Sequence, residues 1–135
     1  MPRVLVVEDS VSMRAFVRGA LEGDGPDLGE VEVVEASSGF DALRLLPRGP
    51  YDLVITDINM PDINGLELVQ FIRQSERHRA IPILLISTRS SERDRERGLT
   101  LGANAYLAKP FTPEMLRAEA ARQLAPVSQR TEPHD

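Results

Sequence analysis

Three carboxylate side chains stand directly after two apolar runs of this chain. Asp57 follows the run 53–56, and Glu8 and Asp9 follow the run 4–7. A carboxylate at the end of a buried strand, beside a loop punctuated by proline and glycine, lies where open α/β sheets present their chemistry. If both runs are parallel strands of one sheet, the three carboxylates converge at one edge of it.

A hydroxyl and an ammonium group follow two further apolar runs in the same way. Ser87 comes after the run 83–86, and Lys109 comes after the run 105–108. Phosphoryl transfer needs a nucleophile, a divalent cation, and a positive charge or hydrogen-bond donors for the phosphoryl oxygens. Carboxylate oxygens suit Mg²⁺, and an aspartate can itself accept a phosphoryl group. The combination therefore predicts a phosphoryl-transfer site.

Each residue of this set has a predicted role. Glu8, Asp9 and Asp57 supply oxygen ligands to Mg²⁺, and Asp57 is also the nucleophile. Lys109 places a compact positive charge near one phosphoryl oxygen, and Ser87 donates a hydrogen bond to another. Taken alone, Glu8 and Asp9 have a simpler explanation as a charge pair at a helix N-terminus. Crowding three uncompensated carboxylates is costly, however, and this favours the metal site.

Five apolar runs alternate with segments of helical period along the chain. The alternation is typical of βαβ units and of a parallel sheet covered on both faces, which is an α/β fold. The predicted strands are 3–7, 31–34, 53–57, 83–86 and 105–108. Residues 1–125 are predicted to form one domain, and the polar tail 126–135 is predicted to be disordered.

The predicted helices are marked by periodicity and by capping residues. The first carries an apolar stripe that includes Phe16 and stops at 23–26. The second opens with a capping box and extends to Leu46, and the third follows Gly65. The fourth is polar and has few apolar residues to anchor it, so it is a candidate mobile element. Caps are predicted for the second, fourth and fifth helices at Ser38, Ser91 and Thr112.

Composition restricts the class of protein. The formal net charge of −5 argues against a nucleic-acid surface, because such surfaces are usually basic. The lack of cysteine excludes disulfides and thiolate chemistry and fits a reducing compartment. No apolar run approaches the roughly 20 residues that cross a bilayer, and the N-terminal segment lacks the layout of a signal peptide. We therefore expect a cytoplasmic protein without nucleic-acid or membrane partners.

With these residues in this order, the sequence resembles the response-regulator receiver domain, the CheY-like family, over nearly its whole length. The resemblance rests on motifs that occur in the family's order and with its approximate spacings. They are Glu8-Asp9, Asp57-Ile58-Asn59-Met60-Pro61 with Gly65, Ser87, and Tyr106-Leu107-Ala108-Lys109-Pro110-Phe111. The resemblance implies a doubly wound, flavodoxin-like three-layer sandwich with strand order 2-1-3-4-5.

The resemblance also implies a function, that of a phospho-accepting receiver in a two-component signalling system. A histidine kinase or phosphotransfer protein would donate the phosphoryl group to Asp57. The receiver would be a signalling switch that catalyses its own phosphorylation and dephosphorylation. Asp9, Asp57 and the backbone carbonyl of Asn59 would bind Mg²⁺ directly, and Glu8 would act through a bound water.

The implied switch joins this site to a protein-binding face. Ser87 would move onto the phosphoryl group, and Tyr106 would swing inward behind it. A downstream protein would bind the face formed by the fourth helix, fifth strand and fifth helix, in chemotaxis-type motility control or in a phosphorelay. Asn59 and Arg89, at the mouth of the site, would tune the lifetime of the phosphorylated state. The resemblance further implies that the Lys109-Pro110 peptide bond is cis.

Two other functions fit part of the pattern. A hydrolase of the haloacid-dehalogenase type also uses a strand-end aspartate and Mg²⁺, but that class has a second aspartate where this chain has Asn59. A phosphorylation-independent pseudo-receiver, which is an interaction module without the switch, is the alternative if Thr88-Arg89 obstructs the movement of Ser87. The family usually has a small residue in place of Thr88. It often has aspartate in place of Glu8, a common variation that should leave metal binding intact.

Overall fold

The computed structural model describes residues 1–23, 25, 28–88 and 92–125. Within these residues a parallel sheet of five strands forms the centre of the molecule, in the order β2-β1-β3-β4-β5. The strands are β1 Arg3–Val7, β2 Glu32–Ala36, β3 Leu53–Asp57, β4 Ile83–Ser87 and β5 Ala105–Ala108. The predicted doubly wound, flavodoxin-like α/β fold and its strand order are therefore confirmed.

The described part of the chain has five α-helices, one after each strand. They are α1 Val11–Glu22, α2 Gly39–Leu45, α3 Gly65–Gln74, α4 Glu92–Leu101 and α5 Pro113–Leu124. Side-chain oxygens of Ser10, Asn64 and Thr112 accept hydrogen bonds from N–H groups in the first turns of α1, α3 and α5. These caps fix where each helix begins, which in turn fixes the lengths of the loops beside the C-terminal strand ends.

The two faces of the sheet carry separate hydrophobic cores. Val4 and Val6 face one core, which α1 and α5 complete, whereas Leu5 and Val7 face the core that α2 and α3 complete. This alternation follows from the two-residue period of a strand. Every residue of β3 and β4 is buried. The strands that end in Asp57 and Ser87 are therefore the most enclosed platform in the fold.

The predicted bounds of β2 are wrong by one or two residues. The strand is Glu32–Ala36 rather than 31–34. It extends through Glu35, which pairs in register with Val6 of β1 and whose carboxylate pairs with Arg14 and Arg18 on α1. Pairing removes the cost of placing a charged side chain on a partly buried strand.

The predicted capping box of α2 is only half formed. Ser38 accepts a hydrogen bond from the N–H of Asp41, as predicted. The Asp41 carboxylate accepts its bond from the N–H of Ser37, however, not from Ser38. The helix also ends at Leu45, one residue earlier than predicted, and a 3₁₀ turn containing Pro47 follows, because proline has no N–H for the α-helical ladder.

Two helices pack differently from a simple apolar stripe. Phe16 of α1 is 37% exposed, and its ring lies 5.9 Å from that of Phe111 rather than inside the core. In α4, Gly98 is the only buried residue among 92–101. A Cβ atom at that position would collide with Leu85 of β4, so the glycine lets the α4 backbone contact the sheet directly.

Several predictions fall outside the described ranges. These are the cap at Ser91, the residue Arg89 and the tail 126–135. None of the helices that the structure describes is both long enough and apolar enough to cross a membrane.

Candidate functional site

The C-terminal ends of the parallel strands bring the predicted site residues to one edge of the sheet. Asp57 and Ser87 are the last residues of β3 and β4, whereas Glu8 and Lys109 directly follow β1 and β5. One carboxylate oxygen from each of Glu8, Asp9 and Asp57 lies within 4.8 Å of the other two. The three acids and the lysine therefore occupy a single cluster.

Asp57 is the enclosed acid whose charge is least compensated. The residue is 5% exposed, and its Oδ1 atom is buried without a hydrogen-bond partner in the described part of the chain. The Lys109 ammonium lies 3.4 Å from that oxygen, which is an ion-pair separation. Burial raises the pKa of Asp57, the Glu8 carboxylate raises it further, and Lys109 opposes both effects. An additional positive charge at Oδ1 would stabilise the ionised form.

Lys109 is shared between two buried carboxylates. Its Nζ atom is 3.0 Å from Glu8 Oε1, which is closer than the 3.4 Å to Asp57 Oδ1. The other Glu8 oxygen accepts a hydrogen bond from the N–H of Ser10 at 3.0 Å. Glu8 is 1% exposed. One ammonium group therefore faces two enclosed negative charges, so the enclosed part of the cluster carries a net negative charge.

This arrangement fits a hard divalent cation such as Mg²⁺. The donors are carboxylate oxygens, which such cations prefer, and one of them lacks a hydrogen-bond donor. Asp9 is exposed, so a cation bound there would keep contact with solvent. The side chain of Asn59 is also exposed, in the loop that follows β3. Mg²⁺ commonly retains several waters in protein sites, and this half-open position permits them.

The loop after Asp57 is held tightly on both sides. Gly65 begins α3, and its N–H donates to the carbonyl of Ile58 at 2.8 Å. A Cβ atom at Gly65 would collide with the Asp57 carbonyl oxygen, so only glycine permits this approach. The Asp62 carboxylate accepts hydrogen bonds from the N–H groups of Phe40 and Gly39, and these, Phe40 above all, lower the pKa of Asp62. The loop is thereby tied to the start of α2.

The remaining predicted residues lie around the same edge. Ser87 is fully buried, and its carbonyl accepts a hydrogen bond from the N–H of Lys109 at 2.6 Å. Tyr106 is half-buried on β5, opposite Leu85 of β4. The Lys109-Pro110 bond is cis, which confirms that prediction. The switch roles of Ser87 and Tyr106 stay predictions, and Arg89 lies outside the described residues.

Sequence reasoning missed one residue beside the acidic cluster. Arg14 Nη1 donates to the backbone carbonyl of Glu8 at 2.8 Å, and its Nε donates to Glu35 Oε1 at 2.9 Å. The only signal was an acidic residue, Glu35, at the end of an apolar strand. Such a charge calls for a partner, but the sequence alone does not say which basic residue supplies it.

Comparison with known proteins gives one family. The sequence model of the family described as the response regulator receiver domain matches residues 4–121 of this chain. The chemotaxis protein CheY homolog of Campylobacter jejuni is 37% identical over 116 residues, which cover 85% of this chain and 86% of that protein. The chemotaxis protein CheY1 of Helicobacter pylori is 38% identical over 116 residues, covering 85% of this chain and 90% of that protein. The structure of the chemotaxis response regulator CheY4 of Vibrio cholerae is 36% identical and covers 92% of this chain and 99% of that chain, with a TM-score of 0.81.

Proposed function

We propose that Asp57 is the residue on which this chain accepts a phosphoryl group. The proposal starts from family membership: the chain belongs to the response regulator receiver domain family. Family membership makes the chain a phospho-accepting receiver of two-component signalling, whose donor is a histidine kinase or phosphotransfer protein. The observation that supports Asp57 is its buried Oδ1 atom, which has no hydrogen-bond donor among the described residues and lies 3.4 Å from Lys109. A phosphoryl group bonded to Asp57 would lie beside that ammonium.

We propose further that Asp9, Asp57 and the backbone carbonyl of Asn59 hold Mg²⁺, with Glu8 contributing through a bound water. The cluster of three carboxylates supports this proposal. When bound, Mg²⁺ would offset negative charge on the phosphoryl oxygens. Lys109, 3.4 Å from the Asp57 carboxylate, would orient that carboxylate and place its positive charge beside one phosphoryl oxygen.

In the transfer, an Asp57 carboxylate oxygen bonds to phosphorus while the phosphorus–nitrogen bond of the donor histidine breaks, and the imidazole keeps that electron pair. Hydrolysis of the product would be a limited self-dephosphorylation, in which a water attacks the same phosphorus, the phosphorus–oxygen bond to Asp57 breaks, and the Asp57 carboxylate leaves with that electron pair and inorganic phosphate is released. We propose that Asn59 and Arg89 tune that rate. Arg89→Ala should shorten the phosphorylated lifetime several-fold if the long, charged side chain obstructs the water. Equal decay of the labelled wild type and variant would contradict the shielding role.

The proposed output is a change of the face formed by α4, β5 and α5. Ser87 would donate its hydroxyl to a phosphoryl oxygen, and Tyr106 would turn inward behind it. α4 is the element best able to respond, because Gly98 is the only one of its residues that is buried. The relatives named above are chemotaxis proteins, which supports a partner in motility control; a phosphorelay partner is the other candidate. A cytoplasmic location is part of the proposal, and the cysteine-free composition fits it.

Labelling with a small phosphodonor tests the proposed function. The 135-residue chain and its Asp57→Asn variant are incubated with acetyl [³²P]phosphate, with Mg²⁺ or with EDTA. We expect a label on the wild type that needs Mg²⁺, survives acid and is lost in base or hydroxylamine, and we expect none on Asp57→Asn. Equal labelling of Asp57→Asn would contradict Asp57 as the phosphoacceptor. Equal labelling of the wild type in EDTA would contradict the need for a divalent cation. A folded wild type that takes up no label would indicate a pseudo-receiver instead.

A further inference from the structure

The backbone carbonyl of Glu8 stands at the point where β1 leaves the sheet, and a side chain from α1 holds it. Arg14 Nη1 is 2.8 Å from the Glu8 carbonyl oxygen, and Arg14 Nε is 2.9 Å from Glu35 Oε1 on β2. The Arg14 side chain is 18% exposed, so water competes little for either bond. Glu35 also pairs with Arg18 of the same helix.

This hydrogen bond sets the direction of one peptide plane. The Glu8 carbonyl group and the N and Cα atoms of Asp9 belong to a single planar unit. The Asp9 side chain is exposed, so its direction depends chiefly on the backbone that carries it. The Glu8 side chain is held separately, by the N–H of Ser10 and by Lys109 Nζ, both at 3.0 Å. Arg14 therefore acts on the backbone from which both acidic side chains project.

We propose that Arg14 is a positioning residue for the divalent-cation site. Through the Glu8 carbonyl it orients the peptide unit that joins Glu8 to Asp9, so that the Asp9 carboxylate converges with those of Glu8 and Asp57. The inference rests on the proposed function, because it presumes that the acidic cluster binds a cation. Arg14 itself contacts neither the proposed cation nor the phosphoryl group.

The charge of Arg14 and its positioning role have opposite effects on cation binding. A guanidinium near a cation site repels the cation, so removing its charge alone should tighten binding. Removing a residue that orients metal ligands should weaken binding, and such losses are commonly about 10- to 100-fold. The sign of the change in the Arg14→Ala variant therefore separates the two explanations.

Arg18 provides the matched control. It lies one turn further along α1, carries the same charge and pairs with the same Glu35, but its other partner is Glu22 rather than the Glu8 carbonyl. Arg14→Ala and Arg18→Ala thus each remove one positive charge that pairs with Glu35. Only Arg14→Ala removes the hydrogen bond to the backbone of the acidic pair.

Binding of Mn²⁺ to the 135-residue chain tests the inference without any phosphorylation. The electron paramagnetic resonance signal of free Mn²⁺ gives the dissociation constant, and competition gives that of Mg²⁺. We expect Arg14→Ala to bind about tenfold more weakly than the wild type, and Arg18→Ala to lie within about twofold of it or to bind more tightly. Thermal unfolding in EDTA, followed by circular dichroism, establishes that each variant is folded.

Arg14→Lys keeps the inference testable if Arg14→Ala does not fold. Lysine keeps the charge but cannot hold both oxygens in the geometry of the guanidinium, so weaker Mn²⁺ binding is again expected. Three results would each overturn the positioning role and leave the proposed function intact. They are wild-type Mn²⁺ affinity in a folded Arg14→Lys, unchanged or tighter Mn²⁺ binding by Arg14→Ala, and weakening in Arg18→Ala equal to that in Arg14→Ala. A wild type that binds neither Mn²⁺ nor Mg²⁺ would overturn the proposed metal site, and the role of Arg14 with it.

Discussion

Replacing Asp57 by asparagine should stabilise the folded protein when no divalent cation is present. Asp57→Asn keeps the shape of the side chain and removes a negative charge that is 95% enclosed, since the residue is 5% exposed. Glu8 is also buried, and the two carboxylates share the Lys109 ammonium. The variant leaves one buried carboxylate with one ammonium, which is a balanced pair.

The expected magnitude follows from the distances at the site. At an effective dielectric constant of about 20, the Lys109 ammonium 3.4 Å away attracts the Asp57 carboxylate by about 5 kcal/mol. The Glu8 oxygen, no more than 4.8 Å away, repels it by at least about 3.5 kcal/mol. Because these two energies nearly cancel, the desolvation penalty of several kcal/mol for a buried ion decides the sign. We expect Asp57→Asn to raise the free energy of unfolding by about 1–3 kcal/mol, which is the part of that penalty that the net attraction does not offset.

The stabilisation should depend on pH in one direction. Burial raises the pKa of folded Asp57, so the ionised carboxylate costs the folded state free energy. The gain from Asp57→Asn is therefore complete above the raised pKa and declines as the pH falls through it. It vanishes below the pKa of an unfolded-state aspartate, about 3.9.

Urea unfolding followed by circular dichroism measures the effect at neutral pH, in EDTA and in saturating Mg²⁺. Mg²⁺ stabilises the folded wild type by mass action, so the difference between the two proteins should shrink when it is present. Asp9→Asn is the control: it removes the same charge from an exposed position, where the desolvation penalty is small, and should stabilise the protein less than Asp57→Asn does. The reasoning fails if Asp57→Asn is no more stable than the wild type in EDTA, or if Asp9→Asn matches it.

Two further predictions concern the metal site and the packing of α4. Asp9→Ala should weaken Mg²⁺ binding, measured by isothermal titration calorimetry, more than Glu8→Ala does, because Asp9 alone is proposed as a direct ligand; the reverse order would contradict that assignment. Gly98→Ala should lower the free energy of unfolding in urea by about 1–3 kcal/mol, because the new Cβ atom would collide with Leu85. Gly19→Ala, on α1 where the added Cβ atom would meet no other part of the described structure within 4 Å, is its control and should raise that free energy by about 0.5–1 kcal/mol. A Gly98→Ala variant as stable as Gly19→Ala would show that α4 is not packed this closely.

The sequence predicts the fold well because its signals are local. The apolar runs that end in Asp57 and Ser87 are buried at every position, and such runs are hard to place anywhere except in a central parallel strand. The error at β2 arises where a local signal is overridden by a tertiary contact. Glu35 interrupts the apolar run, but its backbone pairs in register with Val6 of β1 and its carboxylate pairs with Arg14 and Arg18.

The residue types at the site are predictable, but their partners are not. A polar residue after each parallel strand places Glu8, Asp57 and Lys109 at one edge, so their convergence follows from topology. Whether Lys109 lies nearer to Glu8 or to Asp57 depends on side-chain reach and on differences of a few tenths of an ångström. The contact of Arg14 with the Glu8 carbonyl likewise depends on how α1 packs, which no local pattern encodes.

The most direct test of Asp57 as the phosphoacceptor is to identify the modified residue chemically. The wild type is phosphorylated with acetyl phosphate and Mg²⁺, reduced with borohydride and digested, and the peptides are sequenced by mass spectrometry. Borohydride converts an aspartyl phosphate to homoserine, so we expect homoserine at position 57 and unmodified Glu8 and Asp9. A reduced residue at either of those acids, with Asp57 intact, would contradict the proposed function.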